Sequence, residues 1–235
     1  MTTDEVLEEL EGYGHEGTRN IFLKHGAREP FYGVKVQDLK KIQKKVKTDH
    51  ELSLELYATG NSDAMYLAGL IADENQISKS DLNKWANEAY WYMISEYTVP
   101  WIASDSKYGL ELGLEWIESN EERIASAGWA TLSYSASLLP DDLLDIAMYS
   151  ELLDRVEKDV HDSQNRVRFT MNGFVIAVGG AIKELSAKAS KVGESIGQVS
   201  VDMGGTACKV PLATQYIQKI IDRGSLGKKR KSARC

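Results

Sequence analysis

A chain of 235 residues with 43% hydrophobic and 27% charged side chains has the composition of an ordinary globular protein, which excludes disorder along its whole length. The net charge of -7 is uneven: six of the 28 basic residues lie from Arg223 onward with no acidic one, so residues 1–222 carry 22 basic against 35 acidic side chains, a balance of -13. That balance disfavours indiscriminate adhesion to nucleic acid and leaves phosphate binding to a local basic surface.

Residues 3–13 set Val6, Leu7 and Leu10 on one side of acidic neighbours, a first helix that Thr3 or Asp4 could cap and that Gly12 and Gly14 stop. A short helix over 16–25 follows, then a turn region from Gly26 to Gly33 around Pro30. Over 36–47, Leu39, Ile42 and Val46 share one helical face, and Lys40, Lys41, Lys44, Lys45 and Lys47 surround it. Such a helix presents either a solvated surface or a patch that meets phosphates.

Helices are expected over 49–58 and 61–73, the second with Ala64, Leu67, Ala68 and Ile71 at helical spacing and small residues that allow close approach. Another starts at Ser78 or Ser80 and runs to about Met93, ending in the cluster Tyr90, Trp91, Tyr92. Beyond Pro100 the pattern repeats over 108–118 and 121–137, and Pro140 reads as the start of a helix through Val156. Ser163 can cap a long segment, 164–186, in which Gly179 and Gly180 either bend the helix or admit a close neighbour. Residues 197–211 break the rhythm as an extended loop, Pro211 opens a last helix through Ile221, and 223–235 read as a flexible basic tail.

Short helices, short turns and no period-two runs are the pattern of an all-α solenoid, a single domain over 1–222 in which helix pairs bury their apolar faces against the next pair. The five tryptophans, Trp85, Trp91, Trp101, Trp116 and Trp129, are read as packing residues.

Phosphate-loop, HExxH and CxxC motifs are absent. His15, His25, His50 and His161 lie far apart and are read as surface or capping residues. Cys208 and Cys235 give neither a disulfide framework nor metal-ligand spacing, so a reducing, cytoplasmic setting is expected. No apolar run approaches the roughly 18 residues of a membrane span.

The segment from Thr18 through Lys47, with EPFYGVKVQDLKKI, then MYLAGLIAD at 65–73, EERIASAGW at 121–129, NRVRFTMNGFVIAVG and TACKVP, resembles the DNA alkylation repair proteins of the AlkD type in order and spacing across most of the chain. The resemblance implies a HEAT-like array with a concave face for duplex DNA. It also implies hydrolysis of the N-glycosidic bond of N3- or N7-alkylated purines, without extrusion of the lesion into a deep pocket and without a metal or organic cofactor.

Carried over by position, the family's catalytic carboxylate falls on Glu96 and a lesion-flanking aromatic on Tyr92, four residues earlier on one helical face. The phosphate-contacting arginine falls on Arg123, behind Glu121 and Glu122. Glutamate is one methylene longer than the family's aspartate, Gly173 stands where the family has a tryptophan, and Phe22 lacks the hydroxyl of the aromatic it replaces.

Further candidates for DNA contact are Lys40, Lys44 and Lys47, Lys209 beside Pro211, Asn172 in an apolar helix, and Arg168. Arg166 and Arg168, two apart, cannot share a narrow stripe, so at least one is open to solvent. Two readings follow: an alkylpurine glycosylase on double-stranded DNA, or a noncatalytic helical scaffold for DNA structures or a protein partner, in either case with no membrane.

Overall fold

The computed structural model describes residues 1–234, and Cys235 lies outside the described residues. The first helices begin where a side chain satisfies open backbone amides. Thr2 accepts from the Glu5 amide and Glu5 answers to the Thr2 amide, so α1 (Thr3–Gly12) is capped one residue before the expected Thr3 or Asp4. His15 caps α2 (Glu16–Lys24), and α3 (Val36–Val46) follows without a side-chain cap, burying Leu39 and Ile42. Asp49, Asn61 and Ser78 then cap α4 (His50–Ala58), α5 (Ser62–Ile71) and α6 (Lys79–Glu88).

The turn between α2 and α3 is held by a buried carboxylate. Asp63 accepts the amides of Tyr32, Gly33 and Val34 at 2.6, 2.9 and 3.0 Å, so the first turn of α5 anchors a loop some thirty residues earlier. Burial raises the Asp63 carboxyl above its ordinary range, against the pull of those three amides.

The helix expected to run to Met93 ends at Glu88, and the chain restarts at Tyr92 as one continuous helical stretch over 92–105. Within it Ile94–Thr98 is a π-helical turn, followed by α7 (Val99–Asp105). Pro100 has no amide to offer the Glu96 carbonyl, and the Val99 amide reaches five residues back to Ile94. Gly69 of α5 makes room for this turn, since a Cβ there would lie 2.6 Å from the Thr98 methyl.

The second half continues with α8 (Gly109–Trp116) and α9 (Glu122–Leu138). Pro140 opens only the single 3-10 turn Asp141–Leu143; α10 (Ile146–Asp159) starts on the Asp145 cap. Next, α11 (Asn165–Ala181) stops short of the expected residue 186, because Ile182 leaves helical space at φ -115°, ψ 101°. A separate α12 (Ser186–Ile196) then begins, and α13 (Ala213–Asp222) follows the loop.

Gly179 is a packing site and not a bend, for a Cβ there would meet Ile217 of α13 at 2.6 Å. The helices stack as successive pairs, and the long α9 lies between α8, α7 and α11. One apolar cluster runs from α1 to Ala127 and a second from Ile117 to Ile217, so α9 belongs to both cores. All five tryptophans are buried in these cores. No strand occurs among the described residues, in keeping with an all-α, HEAT-like solenoid, and no helix among them is long and apolar enough to cross a membrane.

Two segments expected to be loose are tied down. In the 197–211 loop, Asp202 exchanges hydrogen bonds with Asn165 at 2.7 and 3.0 Å, and Gly204, at φ +67°, lies against the Lys24 carbonyl where no side chain fits. The tail departs from a free arm: Lys229 donates to the Ala136 and Ala181 carbonyls at 3.0 and 2.9 Å, and Arg234 pairs with Glu74 and Asp105. The physical reason is local, because the carbonyl ends of α9 and α11 and two carboxylates offer these cations partners.

Candidate functional site

The π turn aims Glu96 inward, where it is 3% exposed. Arg166, one residue into α11, meets it edge to edge: Nε donates to Oε1 and Nη2 to Oε2, both at 2.6 Å. The guanidinium is sandwiched between Tyr92 and Phe169, 4.7 and 4.4 Å from their ring centroids. Burial pushes the Glu96 carboxyl up to about 7, opposed by the bonds and charge of Arg166 and reinforced by nearby Glu122. The same contact keeps Arg166 protonated, and burial raises the Tyr92 phenol to about 12.

On one side of this pair a cavity of about 230 Å³ opens between α9 and α11. Glu96, Tyr97, Tyr134 and Phe169 form its aromatic and carboxyl wall, Ser133, Ser137 and Thr170 supply hydroxyls, and Arg230 of the tail stands at its edge. Gly173 lines it too, and a Cβ there would meet nothing within 4 Å, so the cavity occupies the space a side chain at 173 would fill.

On the other side lies a smaller cleft, of about 180 Å³, bounded by His25, Tyr92, Glu122, Arg123 and Arg166. His25 packs edge-on against Tyr92 at 5.3 Å, and burial, aided by Arg166, lowers its pKa. Arg123 is exposed and also borders a polar groove with Arg28 and Lys84. Of the glutamates beside it, Glu121 pairs with it at 3.5 Å, whereas Glu122 turns away to accept the Arg166 backbone amide at 2.8 Å.

Tyr92 and Arg123 border the same cleft, Glu96 lines the cavity on the other side, and the cation that engages Glu96 is Arg166. Arg168 reaches only Asn165, at 3.4 Å, and its buried Nε has no hydrogen-bond partner among the described residues. Asn172 donates to the Pro211 carbonyl at 2.9 Å, a tie between α11 and the end of the loop. Phe22 packs on Trp91 at 5.2 Å, as part of the first core. Lys40, Lys44 and Lys47 lie away from both cavities and have no ion pair among the described residues, unlike Lys41 with Asp38 and Lys45 with Glu9. Lys209 is exposed in the loop, as is Cys208.

The sequence held a signal for Arg166. A glutamate beside Pro100 in an apolar stretch needs a cation, and Arg166, Thr170, Gly173 and Ala177 fall at helical spacing on one face of α11. Among the described residues no three His, Cys, Asp or Glu side chains converge to hold a metal ion.

Residues 6–190 match the family described as DNA alkylation repair enzyme. The chain belongs to that family. An uncharacterized protein of Listeria innocua is 34% identical over 95% of this chain and 99% of its own length, and another of Listeria monocytogenes is 35% identical over the same shares. A solved structure described as a new family of proteins related to the HEAT-like repeat DNA glycosylases, with affinity for branched DNA structures, is 38% identical, covers the whole of both chains and superposes with a TM-score of 0.91. In this member of the DNA alkylation repair family, then, the buried Glu96 carboxylate is closed by an arginine and an open cavity stands beside it.

Proposed function

We propose that this protein binds branched or otherwise distorted DNA as a structure-recognising member of the DNA alkylation repair family, and that it does not hydrolyse the glycosidic bond. The observation that carries this reading is the Glu96–Arg166 pair. A carboxylate that stabilises cationic character on a sugar must present an oxygen to the substrate, but both Glu96 oxygens are engaged by Arg166 and the residue is nearly sealed from solvent. The open space at Gly173 removes the stacking partner that would hold an alkylated base beside it.

Recognition of DNA structure needs cations and shape more than a reactive group. Arg123, Arg28 and Lys84 around one groove, which Glu29 and Glu88 also line, and Lys40 and Lys44 on α3 with Lys47 just past its end, supply the cations for such contacts. The affinity for branched DNA described for the similar solved structure supports the same reading.

The competing reading, release of N3- or N7-alkylated purines from duplex DNA, draws on the family and on the place of Glu96 in the cavity wall. One experiment separates them. Binding of a three-way junction and of linear duplex of equal length is measured by fluorescence anisotropy, and free methylated purine is assayed with protein in excess. The expected result is tighter binding of the junction and no base release. Release by the wild type that Glu96→Gln abolishes would establish the glycosylase instead.

A further inference from the structure

The cavity beside Gly173 has no role in the phosphate contacts just described, yet its lining is specific. Three aromatic side chains, Tyr97, Tyr134 and Phe169, meet there with few charged groups. A cavity of about 150 Å³ suffices for a benzene ring, so the 230 Å³ here has room for a larger planar ring system.

Its polar groups can both accept and donate, for the phenol hydroxyls of Tyr97 and Tyr134 stand beside three aliphatic hydroxyls. Ser133 and Ser137 donate their hydroxyl hydrogens to the Trp129 and Ser133 carbonyls at 2.7 and 3.1 Å, and Thr170 donates to Val167 at 3.1 Å. Their oxygens are left to accept while the phenols can donate, so the site suits a ring that carries both N–H donors and ring acceptors, as a nucleobase does. At the edge, the Arg230 guanidinium makes a single hydrogen bond among the described residues, at 3.3 Å to the Ala233 carbonyl, and lies 5.8 Å from the Tyr134 ring centroid. Most of its donors are free for an anion. An aromatic slot with donors and acceptors inside and a free guanidinium at the edge matches one nucleotide: a base within and its phosphate outside.

We infer that this cavity receives a single unstacked nucleobase from the bound DNA, with Arg230 of the tail on the adjoining phosphate. The inference rests on the DNA-structure reading, because a branch point offers bases that are already partly unpaired and least costly to extrude. The tail is then part of the site, held over it by the bond from the Arg230 amide to the Ser137 carbonyl at 2.8 Å.

The test is a cycle between protein and DNA. A labelled three-way junction with unpaired adenines at the branch point is compared with junctions in which each of these in turn is abasic, using the full-length protein and its Gly173→Trp variant. Stacking of one base on aromatic side chains contributes about 1–3 kcal/mol, so for the wild type one abasic position is expected to weaken binding between about 5-fold and 150-fold. Gly173→Trp is expected to weaken binding of the intact junction similarly and to be indifferent to the abasic site. Equal wild-type affinity for every abasic junction overturns the inference, whatever the variant does, while junction binding itself stands. Absence of any junction binding overturns the proposed function and this inference with it.

Discussion

The guanidinium of Arg166 and the carboxylate of Glu96, 70 residues apart in sequence, share two parallel hydrogen bonds of 2.6 Å between α11 and the π turn that leads into α7. The contact joins the two halves of the solenoid across α9. Removing one partner leaves a buried charge without compensation, which typically costs about 3–5 kcal/mol. Arg166→Ala is therefore expected to lose about that much stability in urea denaturation at pH 8, whereas the double variant Glu96→Leu with Arg166→Met is expected to lie close to the wild type. A double variant as unstable as the single would show that packing around Tyr92 and Phe169, and not charge, sets the cost.

The same pair makes stability depend on pH in a defined sense. Burial raises the folded-state pKa of Glu96 to about 7 from an ordinary 4.5, so the folded protein binds the proton more tightly than the unfolded chain. The stabilisation linked to that proton is complete below the unfolded value and is lost as pH rises through 7. Unfolding free energies of wild type and Glu96→Gln, taken at pH 5, 6, 7 and 8, are expected to show the wild type losing ground to the variant with rising pH. A constant difference would mean that Glu96 does not titrate in this window.

Gly173 offers a test with the opposite sign. It sits inside α11 with no positive φ and no neighbour within 4 Å of a Cβ, so alanine there gains helix propensity without a clash. Gly173→Ala is expected to stabilise by about 0.5–1 kcal/mol, raising the melting temperature by roughly 1–4 °C for a chain of this size. A fall in melting temperature would contradict the open space seen beside it.

How much of this was readable in the chain depends on the range of the interactions. Helices such as Val36–Val46 and Glu122–Leu138 follow from apolar spacing, which acts over about four residues. The π turn at Ile94–Thr98 was missed because its cause, Pro100, lies beyond it and its accommodation depends on Gly69, about thirty residues earlier. The resemblance singled out Glu96 and Tyr92, which the structure sets against one guanidinium, and gave Arg123 a phosphate and not the carboxylate. Arg166 needed the three-dimensional meeting of α11 with that turn. The tail looked free because Lys229 and Arg234 find their partners 48 to 160 residues away.

Asp63 tests the anchoring of the loop between α2 and α3. Its two oxygens hold three backbone amides, and an amide bonded to a charged acceptor contributes about 1.5–3 kcal/mol. Asp63→Ala leaves all three without that acceptor and is expected to destabilise by at least about 3 kcal/mol, with Asp63→Asn in between because one oxygen remains. Chemical denaturation measures the loss, and amide exchange at Tyr32, Gly33 and Val34 locates it.

The tail carries six cations, but they are not equivalent. Lys229 and Arg234 are engaged by carbonyls and carboxylates of the fold, whereas Lys228 and Lys231 are exposed and make no ion pair among the described residues. Each phosphate neutralised on duplex DNA adds about 0.9 to the slope of log affinity against log salt. Replacing Lys228 and Lys231 with alanine is expected to leave the melting temperature unchanged and to reduce the slope by up to about 2. Replacing Lys229 and Arg234 is expected to lower the melting temperature, and the salt slope of the folded variant should hold at low temperature. The reverse pattern would mean that the tail leaves its docked position when DNA binds, and that the contacts with Glu74 and Asp105 are exchanged for phosphates.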